Sequence, residues 1–182
     1  MTEDTVTILE QIGQMQRHLA ELKASFSEKM VRETVPPGPF DLFVCRARNE
    51  RYGVPIQLVS EVLPMCRLTD YPEAPPWFSG MLNLRGTLIP VLDVSARIGR
   101  RRRAVDASDF IVIVNIKDKR FGLVFQEVFR VFTVDGADLQ PPMRDVPEAL
   151  YVLGIVKAEK MPVFLLSLSA LLGTSELPED LL

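Results

Sequence analysis

Arg85-Gly86, set between Leu82, Leu84, Leu88 and Val91, is the stretch with the clearest chemical capacity in this chain. The four apolar residues stand at strand-like spacing on either side of a dipeptide that can turn a hairpin, because glycine accepts backbone angles closed to other residues. The arginine then sits at the tip, where its planar fork of donors suits a carboxylate on a neighbour or a partner. From spacing alone a solvated surface arginine is the plainer reading, and both stay open. Catalytic chemistry is harder to assemble. His18 is the single histidine and falls outside the strand-rich body, so that body can build neither a histidine-based triad nor a His/Cys zinc site. Cys45 and Cys66 lack Cys-x-x-Cys spacing and lie among apolar or strand-forming neighbours, which reads as two buried free thiols. Gly53, Gly80, Gly86, Gly99 and Gly122 never fall into a phosphate-cradling motif. Glu61, Glu73 and Asp93 read as ion pairing, loop solvation and helix capping. No catalytic residue, metal ligand or cofactor is nominated, and the expectation is a protein that is not an enzyme.

The 182 residues suffice for one domain or two small subdomains, and 47% hydrophobic residues mark a globular chain. A formal net charge of −3 and a pI near 5.3 give no drive toward nucleic acid or anionic lipid. An oligonucleotide-binding small barrel needs exposed aromatics and a basic groove. Here the ten phenylalanines mostly follow inward strand patterns, so that class ranks last. No apolar run approaches the roughly 20 residues that span a bilayer, and the first residues lack a signal-peptide pattern, so a cytoplasmic location is expected.

The elements that must position the hairpin follow from periodicity. Ile8, Ile12, Met15, Leu19, Leu22 and Phe26 recur every three or four residues, which predicts an amphipathic helix within residues 1–34. Its stripe can pack on the body, pair two chains, or dock on a partner helix. Residues 35–39, Val-Pro-Pro-Gly-Pro, break the helix and form a linker. Strands are expected over Phe40 to Ala47 and Glu50 to Val54, then a helical turn through Ile56, Val59, Val62 and Leu63 that carries Glu61 and stops at Pro64. Met65 to Leu68 continues as a strand, and a short helix bearing Trp77, Phe78 and Met81 leads into the hairpin. Asp93 caps a brief helix, Val94 to Ile98, stopped by Gly99. Arg100 to Arg103 reads as a solvated loop. Further strands cover Asp109 to Ile116, Arg120 to Phe125 and Glu127 to Val134, the first two joined at Lys117-Asp118-Lys119. The last pair is Leu150 to Ala158 and Met161 to Leu166, after which Ser167 caps the helix Leu168 to Leu172. Residues 174–182 form an acidic tail. Eight to ten short strands with turns at 8–12-residue spacing describe a mainly β barrel or sandwich.

The segments Tyr52-Gly53-Val54-Pro55-Ile56, Val59-Ser60-Glu61-Val62, Pro72 to Pro76, Gly80-Met81-Leu82-Asn83-Leu84-Arg85-Gly86, Ile89-Pro90-Val91-Leu92-Asp93 and Gly122-Leu123-Val124 resemble, in order and spacing, the CheW-like coupling domain. The resemblance covers Phe40 to Leu172, within a domain set at residues 40–173. It implies two intertwined five-stranded SH3-like β-barrels with short helices and no catalytic activity. It also implies an adaptor role, linking methyl-accepting chemoreceptors to the regulatory domain of a CheA-type histidine kinase in signalling arrays. Carried over by position, Val59 and Glu61 match the receptor-facing segment. Asn83, Arg85 and Gly86 match the hairpin implicated in receptor and kinase coupling, and Glu61 and Arg85 are expected within pairing distance. Two positions depart from the family pattern. Gln126 stands where an acid is common, and Leu166-Ser167 replaces a common Leu-Asp. The serine can cap as aspartate does. With the extra helix, Gln126 opens a second reading, an adaptor of a specialised pathway (twitching motility, development or gene regulation) that self-associates through Ile8, Ile12, Met15, Leu19, Leu22 and Phe26.

Overall fold

The computed structural model describes residues 35–72, 74–99, 104–116, 119–142 and 147–173. The heptad stripe, His18, Glu73, Arg100 to Arg103, the Lys117-Asp118 turn and the acidic tail lie outside the described residues. All of the strands belong to the unit Pro37–Leu182.

The described residues contain ten strands: β1 (Pro39–Ala47), β2 (Glu50–Pro55), β3 (Val59–Pro64), β4 (Phe78–Leu84), β5 (Thr87–Asp93), β6 (Phe110–Ile116), β7 (Lys119–Phe125), β8 (Glu127–Asp135), β9 (Val152–Ala158) and β10 (Met161–Leu166). Two short helices, α1 (Val94–Arg97) and α2 (Leu168–Leu172), follow β5 and β10. The strands form two five-stranded sheets, ordered β8-β1-β2-β10-β9 and β3-β6-β7-β5-β4. The chain starts in the first sheet, crosses to the second for β3 to β7, and returns for β8 to β10. Each sheet therefore borrows strands from both halves of the sequence.

Burial on two faces explains the near-continuous apolar runs. In β6, Ile111 and Ile113 join Leu82, Ile89, Val91 and Val124 in a core within the second sheet. Their neighbours Val112 and Val114 point the other way. They join Cys45, Tyr52 and Val54 of the first sheet and Trp77, Phe78, Leu123 and Phe125 in the core between the sheets. Each fully buried leucine, valine or phenylalanine contributes roughly 1.5–3 kcal/mol, so this shared core holds the two sheets as one body.

The two halves of the chain are also built alike, which the sequence reading did not detect. Val44 pairs with Gly53 as Ile113 pairs with Gly122, and Leu165 meets both Gly53 and Gly154 as Val91 meets both Gly122 and Gly80. Isolated bridges cover β4 and β9 at Thr69↔Met81 and Gln140↔Ile155. A side chain would crowd its neighbours at each of the matched glycines. A Cβ on Gly122 would lie 2.9 Å from Ile111 Cγ2 and Val91 Cγ2, and one on Gly154 would lie 2.5 Å from Leu139 Cγ. Asp93 accepts from the Ala96 N–H and Ser167 from the Ala170 N–H at the equivalent caps of α1 and α2. Serine thus does at Ser167 what aspartate does at Asp93.

Four expectations are corrected. Phe78 to Met81 is strand, not helix, because β4 pairs with β5 from Phe78↔Leu92 onward. The helical spacing of Ile56 to Leu63 yields only a 3-10 turn, Ile56–Leu58, before β3. There the β-branched valines pair against β6, and sheet pairing overrides a period seen over too few residues. Met65 to Leu68 is not strand. It leaves the sheet after Pro64, which cannot donate to a ladder, and returns only at the Thr69 bridge.

That departure also exposes Cys66, whereas Cys45 is buried as expected. Burial pushes the Cys45 thiol well above its ordinary value. A native-state titration with an aromatic disulfide reagent at pH 8 is expected to modify one thiol, Cys66, and to reach the second only on unfolding. Two thiols reacting at equal rates would contradict the buried site.

The β9–β10 turn carries strain. Glu159 and Lys160 have φ of 51° and 68°, left-handed values that disfavour side chains beyond glycine, asparagine and aspartate. Lys160→Gly is expected to stabilise the fold by about 0.5–1 kcal/mol, read as a raised urea midpoint at constant slope.

Candidate protein-docking surface

The hairpin is built as its sequence requires. Leu84 pairs with Thr87, leaving Arg85 and Gly86 as a two-residue loop with φ of 53° and 85°. Positive φ at both positions is the property of the type I′ turn, whose twist matches that of the flanking strands. Asn83 fixes the loop from inside, its Oδ1 accepting from the Gly86 N–H at 2.9 Å. Arginine at the first turn position is the exception, since asparagine or glycine suits that backbone better. The Arg85 side chain is 80% exposed. Its Nη1 lies 3.4 Å from Glu61 Oε1, and Glu61 is 29% exposed.

Glu61 stands on β3, at the far side of the sheet order from β4 and β5. A bulge between Val59 and Glu61 shifts the register against β6, from Val59↔Val114 to Glu61↔Ile113. Bulges re-aim side chains, and here Val59 packs on the core between the sheets while Glu61 meets the hairpin tip. The fold thus gathers Glu61, Asn83, Arg85 and Gly86 at one place and roots Val59 just below. Such an exposed pair contributes about 0–1 kcal/mol, so it orients the arginine more than it stabilises the fold. Two apolar residues on the same strands reach the surface: Leu88, 61% exposed, and Val62, 39% exposed. The strand-like spacing of Leu88 matches that of the buried Leu82 and Val91, and only the length of the hairpin beyond the sheet sets it apart.

Gln126 has a structural role. Its Oε1 accepts from the Arg48 N–H, its own N–H donates to the Arg46 carbonyl at 2.9 Å, and it lines a small recess with Asp93, Ser95 and Asp109. Among the described residues no group of three or more His, Cys, Asp or Glu side chains could hold a metal ion. Nor is any described helix long and apolar enough to cross a membrane.

A mainly β module of two interlocked five-stranded sheets, displaying a charged hairpin on a fixed turn, is the class these features define. Residues 41–176 match the CheW-like domain, and the chain belongs to that family. It is 27% identical over 144 residues to the chemotaxis protein CheW of Treponema pallidum, across 76% of this chain and 85% of that one. It is 32% identical over 146 residues to the protein FrzA of Myxococcus xanthus, across 74% and 86%. The crystal structure of the scaffolding protein TtCheW from Thermoanaerobacter tengcongensis superposes with a TM-score of 0.67 at 31% identity, across 75% of this chain and 89% of that one.

Proposed function

We propose that this chain is a non-enzymatic adaptor that couples chemoreceptors to the regulatory domain of a CheA-type histidine kinase in bacterial chemosensory arrays. The observation that carries this reading is its 31% identity and TM-score of 0.67 to a scaffolding protein of the same family. In this reading Val59 and Glu61 face the receptor, while Asn83, Arg85 and Gly86 form the coupling hairpin. Each sheet closes as an SH3-like barrel. In support, an ion pair joins the edge strand of each sheet to the hairpin at the other end of its strand order, Glu61 to Arg85 and Arg130 to Glu159. Residues 40–173 are the coupling domain, joined through the linker 35–39 to residues 1–34 and followed by residues 174–182, and the protein works in the cytoplasm beneath the receptors.

A second reading, the scaffold of a specialised chemosensory pathway, is supported by the 32% identity to FrzA, a family member with a name of its own. There the stripe Ile8, Ile12, Met15, Leu19, Leu22 and Phe26 pairs two adaptors.

The first reading is tested by sedimenting receptor-bearing membranes with kinase, with and without this chain. Kinase is expected in the pellet only when both receptor and chain are present. Kinase that stays in the supernatant throughout would overturn it.

A further inference from the structure

Val59, Glu61 and Leu63 are spaced two apart, so in an unbroken strand all three would face the same way. In β3 they do not. Val59 packs on the core between the sheets, whereas Leu63 packs on the core within the second sheet, with Leu82, Leu84 and Ile89 of the hairpin strands. The register shows where the face changes: Val59 pairs with Val114 and Glu61 with the adjacent Ile113, so Ser60 is the residue left over. Beyond it Glu61 shares the face of Leu63, and its carboxylate comes within 3.4 Å of the Arg85 guanidinium. A strand without the extra residue would be slipped by one, and Glu61 would point to the other face, away from the tip.

Ser60 is also tied down. Its hydroxyl donates to the Ile113 carbonyl at 3.3 Å, across the strand pair from Glu61. A bulge leaves its extra residue without a ladder partner, so this side-chain bond holds the backbone where the ladder does not. The other half of the chain repeats the arrangement with different chemistry. Phe129 follows Gly122 by the same seven residues that separate Ser60 from Gly53, and it lies at the register break between β8 and β1. It has no hydroxyl, but the Arg51 guanidinium lies over its ring at 4.7 Å. The next residue, Arg130, then pairs with Glu159 at the second turn, as Glu61 pairs with Arg85 at the first. In both halves a pinned extra residue comes directly before the charge that meets the turn.

We propose that Ser60 is a positioning residue of the coupling surface, whose hydroxyl fixes the bulge so that Glu61 holds the Arg85 guanidinium in the orientation a partner meets. The functional half of this statement rests on the adaptor reading. The geometric half is measurable without any partner, because it concerns only how Glu61 and Arg85 sense each other when the Ser60 bond is removed.

The test uses the full chain. Glu61→Gln is expected to shift the nitrogen NMR signals of the Arg85 guanidinium in an otherwise wild-type chain and to leave them in place in a Ser60→Ala chain, while Ser60→Thr, which keeps a hydroxyl, restores the response. Recruitment of kinase to receptor-bearing membranes is expected to weaken about fivefold in Ser60→Ala and to recover in Ser60→Thr. Added to Arg85→Asn, Ser60→Ala is expected to cost nothing more, because Ser60 acts through Glu61 and Arg85. A further fivefold loss in that background would make Ser60, itself exposed, a contact residue and overturn the positioning role. Arg85 signals that answer Glu61→Gln equally with and without the Ser60 hydroxyl would overturn it too. Wild-type chain that recruited no kinase would overturn the adaptor reading and the coupling role of Ser60 with it, while the NMR result would still decide the geometry.

Discussion

Arg97→Ala is expected to destabilise the domain by about 3–5 kcal/mol, read as a lowered urea midpoint with an unchanged slope. Arg97 is 8% exposed, and its Nε donates to the Leu171 carbonyl at 2.7 Å. Its guanidinium lies 4.4 Å from the Trp77 ring centre and 5.2 Å from that of Tyr151. The two rings hold matching places in the two halves, since the Asp93 N–H donates to the Trp77 carbonyl and the Ser167 N–H to the Tyr151 carbonyl, each at 2.9 Å. Arg97 therefore clamps α1 to α2 where the halves meet. Removing it discards a charge-assisted hydrogen bond, about 1.5–3 kcal/mol, and desolvated cation–π contacts worth roughly 2 kcal/mol more. Arg97→Lys keeps the charge but loses the planar fork, and is expected to recover less than half of the loss. A midpoint within error of wild type for Arg97→Ala would show that the clamp is not what joins the helices.

Arg85→Asn is expected to separate stability from function. Asparagine tolerates left-handed angles better than arginine, and Asn-Gly is the preferred type I′ pair, so the variant should be as stable as wild type or up to about 1 kcal/mol more stable. It removes the exposed guanidinium, and kinase recruitment to receptor membranes is expected to weaken about 100-fold, the scale of losing one arginine anchor of an interface. A strained arginine kept where asparagine folds better is the pattern of a residue held for contact with a partner. Undiminished recruitment by a well-folded Arg85→Asn chain would remove the hairpin from the coupling surface.

Apart from β3 and the start of β4, the strands, the hairpin and both helix caps were legible in the sequence because each depends on local chemistry. Alternation set the strands, Arg85-Gly86 set the turn, and Asp93 and Ser167 set the caps. The segments around Ile56 and Trp77 misled because a helical period over a few residues is weak against the pairing energy of a sheet. The exposure of Cys66 depended on where the chain leaves β3, which neighbouring residues do not encode. Of the candidate docking surface, Arg85 was legible from its turn, but its meeting with Glu61 only through family resemblance, since β3 and the hairpin lie at opposite ends of a strand order that spacing cannot give. The repeat was hidden because its few shared residues, such as Gly53 with Gly122 and Gly80 with Gly154, persist where backbones approach closely, while the surface pairs exchanged their charges.

The most direct measurement of the adaptor reading is calorimetric titration of the full chain into the isolated regulatory domain of the CheA-type kinase from the same cell. Saturable binding with a micromolar or tighter Kd is expected. No heat of binding with both proteins at about 100 μM, some tenfold or more above such a Kd, would contradict a coupling role for this chain.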